Sequence, residues 1–238
     1  MKPIIPDSRS ERIIVCMGTD NITDPPIAGK RIFDREFYSE SAVGVAKKLL
    51  GAVLICDSPE GAVSGRIVET EAYAGRNDAA CHSYGRTAPS GHRTDVMFGP
   101  GGFAYVYLIY GMYNCFNVVA NVTGEPEAVL IRAVEPTGGI QLMAARRNTS
   151  DPLKLCSGPG KLCMAMGITR AMNGTDICGG GKIFITKGDV INRDAISVTP
   201  RINVDYSGEA KSYPYRFVIR DSAFLSTRRF VPRKGSPA

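Results

Sequence analysis

Two glutamates, Glu69 and Glu71, lie within residues 66–73, whose sequence is Arg-Ile-Val-Glu-Thr-Glu-Ala-Tyr. In a strand, side chains alternate between the two faces of the sheet. One face would then carry Ile67, Glu69, Glu71 and Tyr73, and the other face would carry Val68 and Thr70. A carboxylate can take a proton from an attacking water and can stabilise positive charge that develops on a substrate. The pattern therefore predicts a reactive site in which two acids and one aromatic ring converge.

A hairpin is predicted some thirty residues further on. Residues 104–110 form a run of aromatic and β-branched residues, Gly111 and Met112 are the expected turn, and residues 113–119 form the returning strand. Its tip would expose the side chains of Tyr110, Met112 and Tyr113. A soluble hairpin gains nothing from exposing these groups to water, whereas an aromatic or apolar wedge can enter a stack of bases. The tip thus indicates a nucleic-acid probe.

A third alternating run covers residues 127–134. It would place on one face Ala128, Leu130 and Arg132, and on the other Val129, Ile131 and Ala133. An arginine inside an apolar strand needs a partner, because a buried charge without one is costly. Arg132 therefore either pairs with a carboxylate structurally or faces an active-site cavity. From the strand alone, structural pairing is the better interpretation.

Other patterns predict the elements that hold these side chains. Apolar spacing in residues 41–50 predicts a helix, and residues 52–56 predict a strand that turns into the strand with the glutamates. Residues 157–161 predict the start of another helix, where backbone amides and Lys161 favour an anion, although most helix starts bind only water. We expect a mixed α+β fold, a single domain with a curved antiparallel sheet, surrounding helices and a protruding β-hairpin.

This domain should span residues 31–230, after an irregular N-terminal extension at residues 1–30 and before a short basic tail at residues 231–238. The chain from residue 224 onward is arginine-rich, and we interpret it as a solvated tail rather than as an auxiliary DNA contact.

Composition narrows the class of protein. The 238 residues include 29 basic and 23 acidic side chains, and the net charge of +6 suits a polyanionic partner without requiring one. Seven cysteines without CxxC pairs predict free, mostly buried thiols, and two histidines without clustered ligands predict no metal. No apolar run approaches the ~20 residues of a membrane span. We expect no membrane association and a cytoplasmic location, nucleoid-associated in a bacterium or nuclear in a eukaryote.

Several of these motifs occur in one order that resembles the alkyladenine (3-methyladenine) DNA glycosylase family, the alkylpurine-DNA glycosylases. The motifs are RIVETEAY, the following His82, YVYLIYGMY with Asn117, VLIRAVEP and CSGPGKLC. The resemblance covers most of the chain from about residue 37 to residue 226. It implies a monofunctional base-excision repair hydrolase that acts on double-stranded DNA, needs no cofactor and works as a monomer. Such an enzyme flips out an alkylated or deaminated purine, hydrolyses its N-glycosidic bond with water and leaves an abasic site.

The resemblance also implies a role for individual residues. Glu71 would be the catalytic base, Arg132 would orient Glu71 and the water, and the backbone of Ile202 would complete the water site. The residues that bind the flipped purine would be Tyr73, His82, Tyr107, Asn117 and Leu130, with Asn117 rejecting normal guanine. Tyr110 would intercalate into the DNA. Further DNA contacts would come from Arg86, Met112, Tyr113, Gly158, Gly160 and Lys161.

Three points stay open at this level. Glu69 competes with Glu71 for the catalytic role, and a structural salt bridge is an equally good interpretation of Glu69. The loop from Arg86 to Asp95 departs from the family's usual Arg-Thr-Pro-Arg-Asn stretch, and Asn203 stands where the family usually has glycine. A non-catalytic nucleic-acid-binding module and a nucleoside hydrolase remain as alternatives. Glu71 with Arg132 argues against the first, and the hairpin tip argues against the second, because a free nucleoside needs no wedge.

Overall fold

A computed structural model describes residues 31–232 of the chain. The expected N-terminal extension, and the basic tail from residue 233 onward, lie outside the described residues. The described part is built on a sheet of eight antiparallel strands. These strands are β1 (Val53–Ser58), β2 (Gly61–Tyr73), β3 (Ala104–Ile109), β4 (Tyr113–Ala120), β5 (Glu127–Gly138), β6 (Ile183–Thr186), β7 (Ile196–Thr199) and β8 (Arg216–Ile219).

The long strand β2 lies at the centre of the sheet. The strand order is β3-β4-β5-β2-β1-β6, and β8 also pairs with β2 through the segment that holds both glutamates. β7 extends the sheet beyond β8. Both glutamates thus lie where β2 has neighbours on each side, and the predicted mixed α+β fold with an antiparallel sheet is confirmed.

The helices cover one face of this sheet. They are α1 (Arg35–Tyr38), α2 (Ala42–Lys48), α3 (Ile140–Arg147), α4 (Pro152–Leu155) and α5 (Pro159–Met166). The predicted helix at residues 41–50 is confirmed as α2, with Ser41 as its N-cap. The helix predicted to start at residues 157–161 is confirmed as α5. Pro159 lies in its first turn, and Gly167 adopts the left-handed conformation at its end. Short 3₁₀ helices occupy Gly75–Asn77, Arg93–Phe98, Arg170–Met172, Arg193–Ala195 and Asp205–Ser212.

A register shift between Ile67 and Glu69 in the β2–β5 pairing changes the faces on which Ile67 and Val68 lie. Ile67 pairs with Val134 and Glu69 pairs with Ala133, so Val68 is an extra residue in β2. Ile67 consequently packs into the main core beneath the helices, while Val68 packs on the opposite face with Val218. The predictions that Ile67 shares a face with the glutamates and that Val68 points away from them were therefore wrong, because strict alternation cannot foresee a bulge.

The second shift lies in β5. Glu69 pairs with Ala133 and Thr70 with Ile131, which makes Arg132 the extra residue in β5. Ala133, predicted to face away from Arg132, packs instead with Val68. Each strand thus contributes one bulged residue at the point where the two glutamates and the arginine meet. Bulges of this kind redirect side chains and often lie next to functional sites.

The hairpin of β3 and β4 is confirmed, but its turn begins one residue earlier than predicted. Tyr110 and Gly111 both have positive φ, 52° and 71°, and the Met112 amide donates to the Ile109 carbonyl at 3.2 Å. Positive φ at both central residues is the pattern of a type I′ turn, whose twist matches that of the strands. Gly111 meets this requirement freely, whereas a bulky residue such as Tyr110 adopts it at a cost.

The prediction of a solvated tail from residue 224 is wrong for residues 224–227, which pack against the sheet. Leu225 is buried with Val68 and Val218, and Ser226 donates hydrogen bonds to Glu69. Arg228 and Arg229 are exposed, as in a solvated tail, but the apolar and hydroxyl residues before them pack against the sheet. This segment closes over the face of the sheet opposite the helices.

The prediction of free, mostly buried cysteines is confirmed for the described residues. The six described cysteines are all free, and all except Cys178 are buried. Across residues 31–232, no helix is both long and apolar enough to cross a membrane.

Gly101, which precedes β3, packs closely against the backbone at the end of α1. A Cβ atom on Gly101 would lie 2.3 Å from the carbonyl oxygen of Tyr38, which belongs to the fixed backbone of α1. We expect Gly101→Ala to lower the free energy of unfolding in urea by about 1–3 kcal/mol, because the backbone must shift to admit the methyl group. The control is Gly179→Ala, whose Cβ would meet no atom within 4 Å. Equal stability of the two variants would contradict this packing.

Candidate active site

The Glu71 carboxylate is fully buried and accepts three hydrogen bonds. One oxygen, Oε1, accepts from the Ile202 amide at 2.7 Å. The other, Oε2, accepts from the Tyr73 hydroxyl at 2.9 Å and from Nη1 of Arg132 at 3.2 Å. Burial and the neighbouring Glu71 raise the pKa of Tyr73 well above its ordinary value, so this hydroxyl keeps the proton that it donates. Glu71, Arg132 and Ile202, predicted as one group, therefore lie together.

Glu69 forms the centre of a buried ion cluster beside Glu71. Its Oε1 accepts from Nε of Arg132 and from Nε of Arg216, each at 2.9 Å. Ser226 donates to it twice, from the amide to Oε2 and from the hydroxyl to Oε1, both at 2.7 Å. Burial opposes ionisation of Glu69, but the two guanidinium groups and Ser226 outweigh it and hold the pKa of this carboxyl below its ordinary value. Of the two interpretations of Glu69, this geometry favours the structural salt bridge.

Arg132 joins the two glutamates. It pairs with Glu69 and Glu71, so its guanidinium both satisfies the buried charge and borders the candidate site. Burial alone would lower the pKa of Arg132, but the two carboxylates raise it above its ordinary value. Arg132 is therefore a permanent cation. Of the alternatives that the strand left open, structural pairing is observed, and an active-site position for Arg132 stays a prediction.

A row of paired residues extends from Glu71 across the sheet. Glu71 pairs with Leu130, Leu130 with Asn117, and Asn117 with Tyr105. Directly paired residues in antiparallel strands point to the same face. The predicted binding residues Leu130 and Asn117 therefore lie on the face of Glu71, and both are buried.

Aromatic rings form the wall of this face beyond Asn117. The ring centroids of Tyr105 and Tyr107 are 5.3 Å apart, and the His82 ring meets that of Tyr107 edge-on at 4.6 Å. The Asn117 side-chain nitrogen donates to the Tyr105 carbonyl at 3.1 Å, which fixes the orientation of its amide. With Tyr73 on the Glu71 side, the predicted wall residues Tyr73, His82 and Tyr107 lie on one face of the sheet.

His82 is held in place by Tyr105. Its Nδ1 atom lies 3.0 Å from the Tyr105 hydroxyl oxygen, and the guanidinium of Arg93 lies 5.3 Å from the Tyr107 ring centroid. Although the His82 residue as a whole is exposed, burial of its ring against these groups, with a smaller effect from the Arg93 cation, lowers its pKa to about 4. His82 is therefore neutral at physiological pH.

A second buried ion pair sets the position of Ile202. Arg201 donates to both carboxylate oxygens of Asp78, and its guanidinium lies 4.8 Å from the Tyr73 ring centroid. The next residue after Ile202, Asn203, has a φ of 61°. Asparagine tolerates this left-handed conformation better than most residues, which explains how it can stand where the family usually has glycine.

The hairpin tip and the start of α5 lie against each other. Tyr110, Met112 and Tyr113 are 76%, 66% and 41% exposed. An added Cβ on Gly160 would be 3.0 Å from the Tyr113 Cβ, so Gly160 permits this contact. Lys161, in the same first turn of α5, is exposed. The predicted probe and the predicted anion site thus form one continuous surface.

Arg86 is engaged within its own loop. It pairs with Asp95 at 2.7 Å, donates to Ser90, and lies over the Phe98 ring. Asp95 also accepts from the amides of residues 90–92. The divergent loop therefore has its own internal order, and DNA contact by Arg86 stays a prediction.

Several residues of the site were missed by the sequence reasoning. They are Tyr105, Arg216, Ser226 and the pair of Asp78 with Arg201. Arg216 had a usable signal, because it stands in an aromatic and apolar strand just as Arg132 does. Tyr105 also had one, since it alternates with Tyr107 on the same strand. Asp78, Arg201 and Ser226 lie in loops, where no periodicity marks them.

The methylpurine-DNA glycosylase family model matches residues 36–223 of the chain. Several curated proteins named "Putative 3-methyladenine DNA glycosylase" are similar to it. The one from Methanocella arvoryzae is 49% identical over 199 residues, which cover 83% of this chain and 96% of the relative. Those from Desulfitobacterium hafniense and Myxococcus xanthus are 45% and 46% identical, covering 82% and 80% of this chain and 98% and 91% of the relatives.

The neutral state of His82 can be tested directly. An NMR titration of its ring signals should give a midpoint near pH 4. Because the fold disfavours the protonated ring, the unfolded chain binds this proton more tightly, and the free energy of unfolding should fall as the pH drops from about 6.5 to about 4. His82→Gln should remove this part of the pH dependence. A midpoint at pH 6 or above would contradict the described environment.

Proposed function

Because the chain belongs to the methylpurine-DNA glycosylase family, we propose that it excises damaged purines from double-stranded DNA. It flips an alkylated or deaminated purine out of the duplex, hydrolyses the N-glycosidic bond with water and leaves an abasic site. The observation that carries this proposal is the buried Glu71, held by Arg132, Tyr73 and the Ile202 amide at the edge of an aromatic wall.

Access to a base in duplex DNA requires extrusion of the nucleotide, at a cost of a few kcal/mol. Tyr110 is 76% exposed and held at positive φ at the hairpin tip. An unfavourable backbone conformation that persists in a bulky residue is a reason to suspect a function. Tyr110 enters the stack and fills the space that the flipped nucleotide leaves.

The flipped purine lies against Tyr73, His82 and Tyr107. Aromatic faces attract cationic bases, which favours purines that carry an extra alkyl group. Asn117 and Leu130 form the buried floor between Glu71 and the tyrosines. Because the Asn117 amide is fixed by its bond to the Tyr105 carbonyl, it excludes guanine through collision with the exocyclic amine.

Cleavage of the N-glycosidic bond leaves positive charge on the sugar. Glu71 stabilises that charge and takes a proton from the attacking water. Arg132 and the Ile202 amide fix the carboxylate, and Ile202 thus acts through Glu71. The groups that bond Glu71 are Tyr73, Arg132 and the Ile202 amide, and none of them is a lysine. The reaction therefore proceeds by water attack without a Schiff base, as in a monofunctional glycosylase.

Backbone contacts to DNA come from the surface formed by the hairpin tip and the start of α5. The amide of Gly160 and the exposed Lys161 suit phosphate oxygens. The Gly158 amide donates to the Cys156 carbonyl at 3.0 Å, so Gly158 contributes its close backbone approach rather than a free donor. Met112 and Tyr113 contact the duplex beside the wedge. The net charge of +6 adds attraction without sequence preference. The protein acts as a monomer, because one chain carries the catalytic carboxylate, the aromatic side chains around the purine and the intercalating tyrosine.

A panel of duplexes, each with one damaged purine, tests this function. The lesions are 3-methyladenine, 7-methylguanine, hypoxanthine and ethenoadenine, with an undamaged duplex as the reference. We expect release of free base, abasic sites in intact strands, and no adduct with the protein after borohydride reduction. Binding without any release would favour a nucleic-acid-binding module. Equal or faster cleavage of free nucleosides would favour a nucleoside hydrolase.

Glu71→Gln should retain lesion binding and lose base release, because the amide keeps the shape of the side chain but cannot accept the proton from water. Single-turnover excision and duplex affinity measure the two effects separately. Glu135→Gln is the matched control. Glu135 also belongs to the β2–β5 pair and accepts a hydrogen bond from an arginine, Arg66, but it lies away from Glu71. Excision by Glu71→Gln near the rate of Glu135→Gln would remove Glu71 from the catalytic role.

Tyr110→Asn should leave the fold intact, because asparagine accepts the left-handed turn. It should slow excision, because about 1–3 kcal/mol of stacking on the wedge is lost. The loss should be larger for a lesion in a stable pair than for a mispaired lesion, which costs less to extrude.

The control is Val190→Ser, which changes an exposed apolar side chain in the groove beside α2. Melting temperatures and single-turnover rates on both duplexes decide the outcome. A destabilised Tyr110→Asn protein with equal losses on the two duplexes would show that Tyr110 only packs.

A further inference from the structure

The segment at residues 222–231, here called the closing segment, covers the buried ion cluster. Most of it lies beyond the range of the family model, which ends at residue 223. Its anchor is the buried Leu225, which packs against Val68 of β2 and Val218 of β8. The closing segment is therefore part of the folded site, although no pattern in its sequence marks it.

Arg216 ties the closing segment to the cluster. Its Nη2 donates to the Thr227 carbonyl at 2.6 Å and its Nη1 donates to the Arg229 carbonyl at 2.9 Å, while its Nε donates to Glu69. Arg216 is fully buried, and it depends on these carbonyls as hydrogen-bond acceptors. The backbone of the closing segment is thus fixed relative to Glu69.

Ser226 lies where the closing segment meets the two glutamates. Its hydroxyl donates to Glu69 and accepts from Nη2 of Arg132 at 3.3 Å. The guanidinium of Arg132 is then held at three nitrogen atoms, by Glu69 at Nε, by Glu71 at Nη1 and by Ser226 at Nη2. Without Ser226, Nη2 loses this acceptor and the plane of the guanidinium is restrained at two points rather than three.

Ser226 also adjoins the surface proposed to contact DNA. A Cβ placed on Gly158, at the start of α5, would lie 3.9 Å from the Ser226 Cβ. Ser226 is half-buried between this helix start and the ion cluster. Its position is therefore shared by the DNA-facing helix and by the side chains beneath the reacting carboxylate.

From these contacts we propose that Ser226 is a positioning residue for the glycosylase reaction. Its hydroxyl fixes the rotation of the Arg132 guanidinium, and Arg132 in turn presents Nη1 to Glu71 and sets the direction of the carboxylate. Ser226 touches neither the base nor the water. The proposal rests on the proposed function, because it assigns Ser226 to the step in which Glu71 activates water.

The test compares Ser226→Ala, Ser226→Thr and Ser222→Ala in the full chain. Ser222 is the matched control, because its hydroxyl belongs to the same segment but bonds only the local Phe224 amide. Melting temperature, affinity for a lesion duplex and single-turnover excision are measured for each. In metal sites, removal of a residue that hydrogen-bonds a ligand from outside lowers metal affinity or activity by about 10-fold to 100-fold. We expect the excision rate of Ser226→Ala to fall by a similar factor, about 10-fold to 100-fold. Its duplex affinity should stay within about twofold of the control.

Ser226→Thr keeps a hydroxyl and should recover most of the rate. A purely structural role would lower the melting temperature of Ser226→Ala without lowering its rate per folded protein. Three results would overturn the proposal. They are a Ser226→Ala rate equal to that of Ser222→Ala, a loss that follows only the fraction of folded protein, or a threonine variant as slow as the alanine variant. If the wild-type protein excises none of the lesions, the proposed function itself fails, and the two failures are thereby distinguished.

Discussion

The buried carboxylate of Glu69 is the group on which the rest of the site depends. It lies between the guanidinium groups of Arg132 and Arg216, with Ser226 completing its hydrogen bonds. Two carboxylates, Glu69 and Glu71, meet two guanidinium groups, Arg132 and Arg216, so the buried charges balance. Removal of one partner from such a cluster typically costs about 3–5 kcal/mol, because another charge is left buried without compensation. The cluster is therefore tolerated only when all of its members are in place.

This requirement explains the local form of the sheet. Opposed bulges at Val68 and Arg132 bring both glutamates and the arginine to the face away from the helices. The apolar residues on either side of the bulges still reach the main core, as Ile67 and Ile131 show. The same sheet thus supports a dry core on one face and a charged, aromatic site on the other. Glu71 gains its fixed orientation from the cluster without being at its centre.

Much of this arrangement could be predicted from the sequence, and the exceptions have physical causes. The strands with Glu71, Tyr107 and Arg132 show clear alternation. The motifs on these strands, taken in their order, also indicated the family. Ile67 was assigned to the wrong face because a bulge inserts one residue without leaving a mark in the hydrophobic pattern. Ser226 was missed because its partner Glu69 lies more than 150 residues away in sequence, and long-range pairing of loop residues has no periodic signal. The roles of the site residues remain predictions that the geometry supports.

A double-mutant cycle of Glu69→Gln and Arg216→Gln tests the central claim most directly, with urea unfolding and single-turnover excision measured for all four proteins. If the cluster balances charge and thereby holds Glu71, Arg216→Gln should cost at least about 1 kcal/mol less stability in the Glu69→Gln protein than in the wild type. Excision should be slowed in both single variants while lesion binding is kept. Losses of stability that add within about 0.5 kcal/mol, with excision unchanged in Glu69→Gln, would contradict the account.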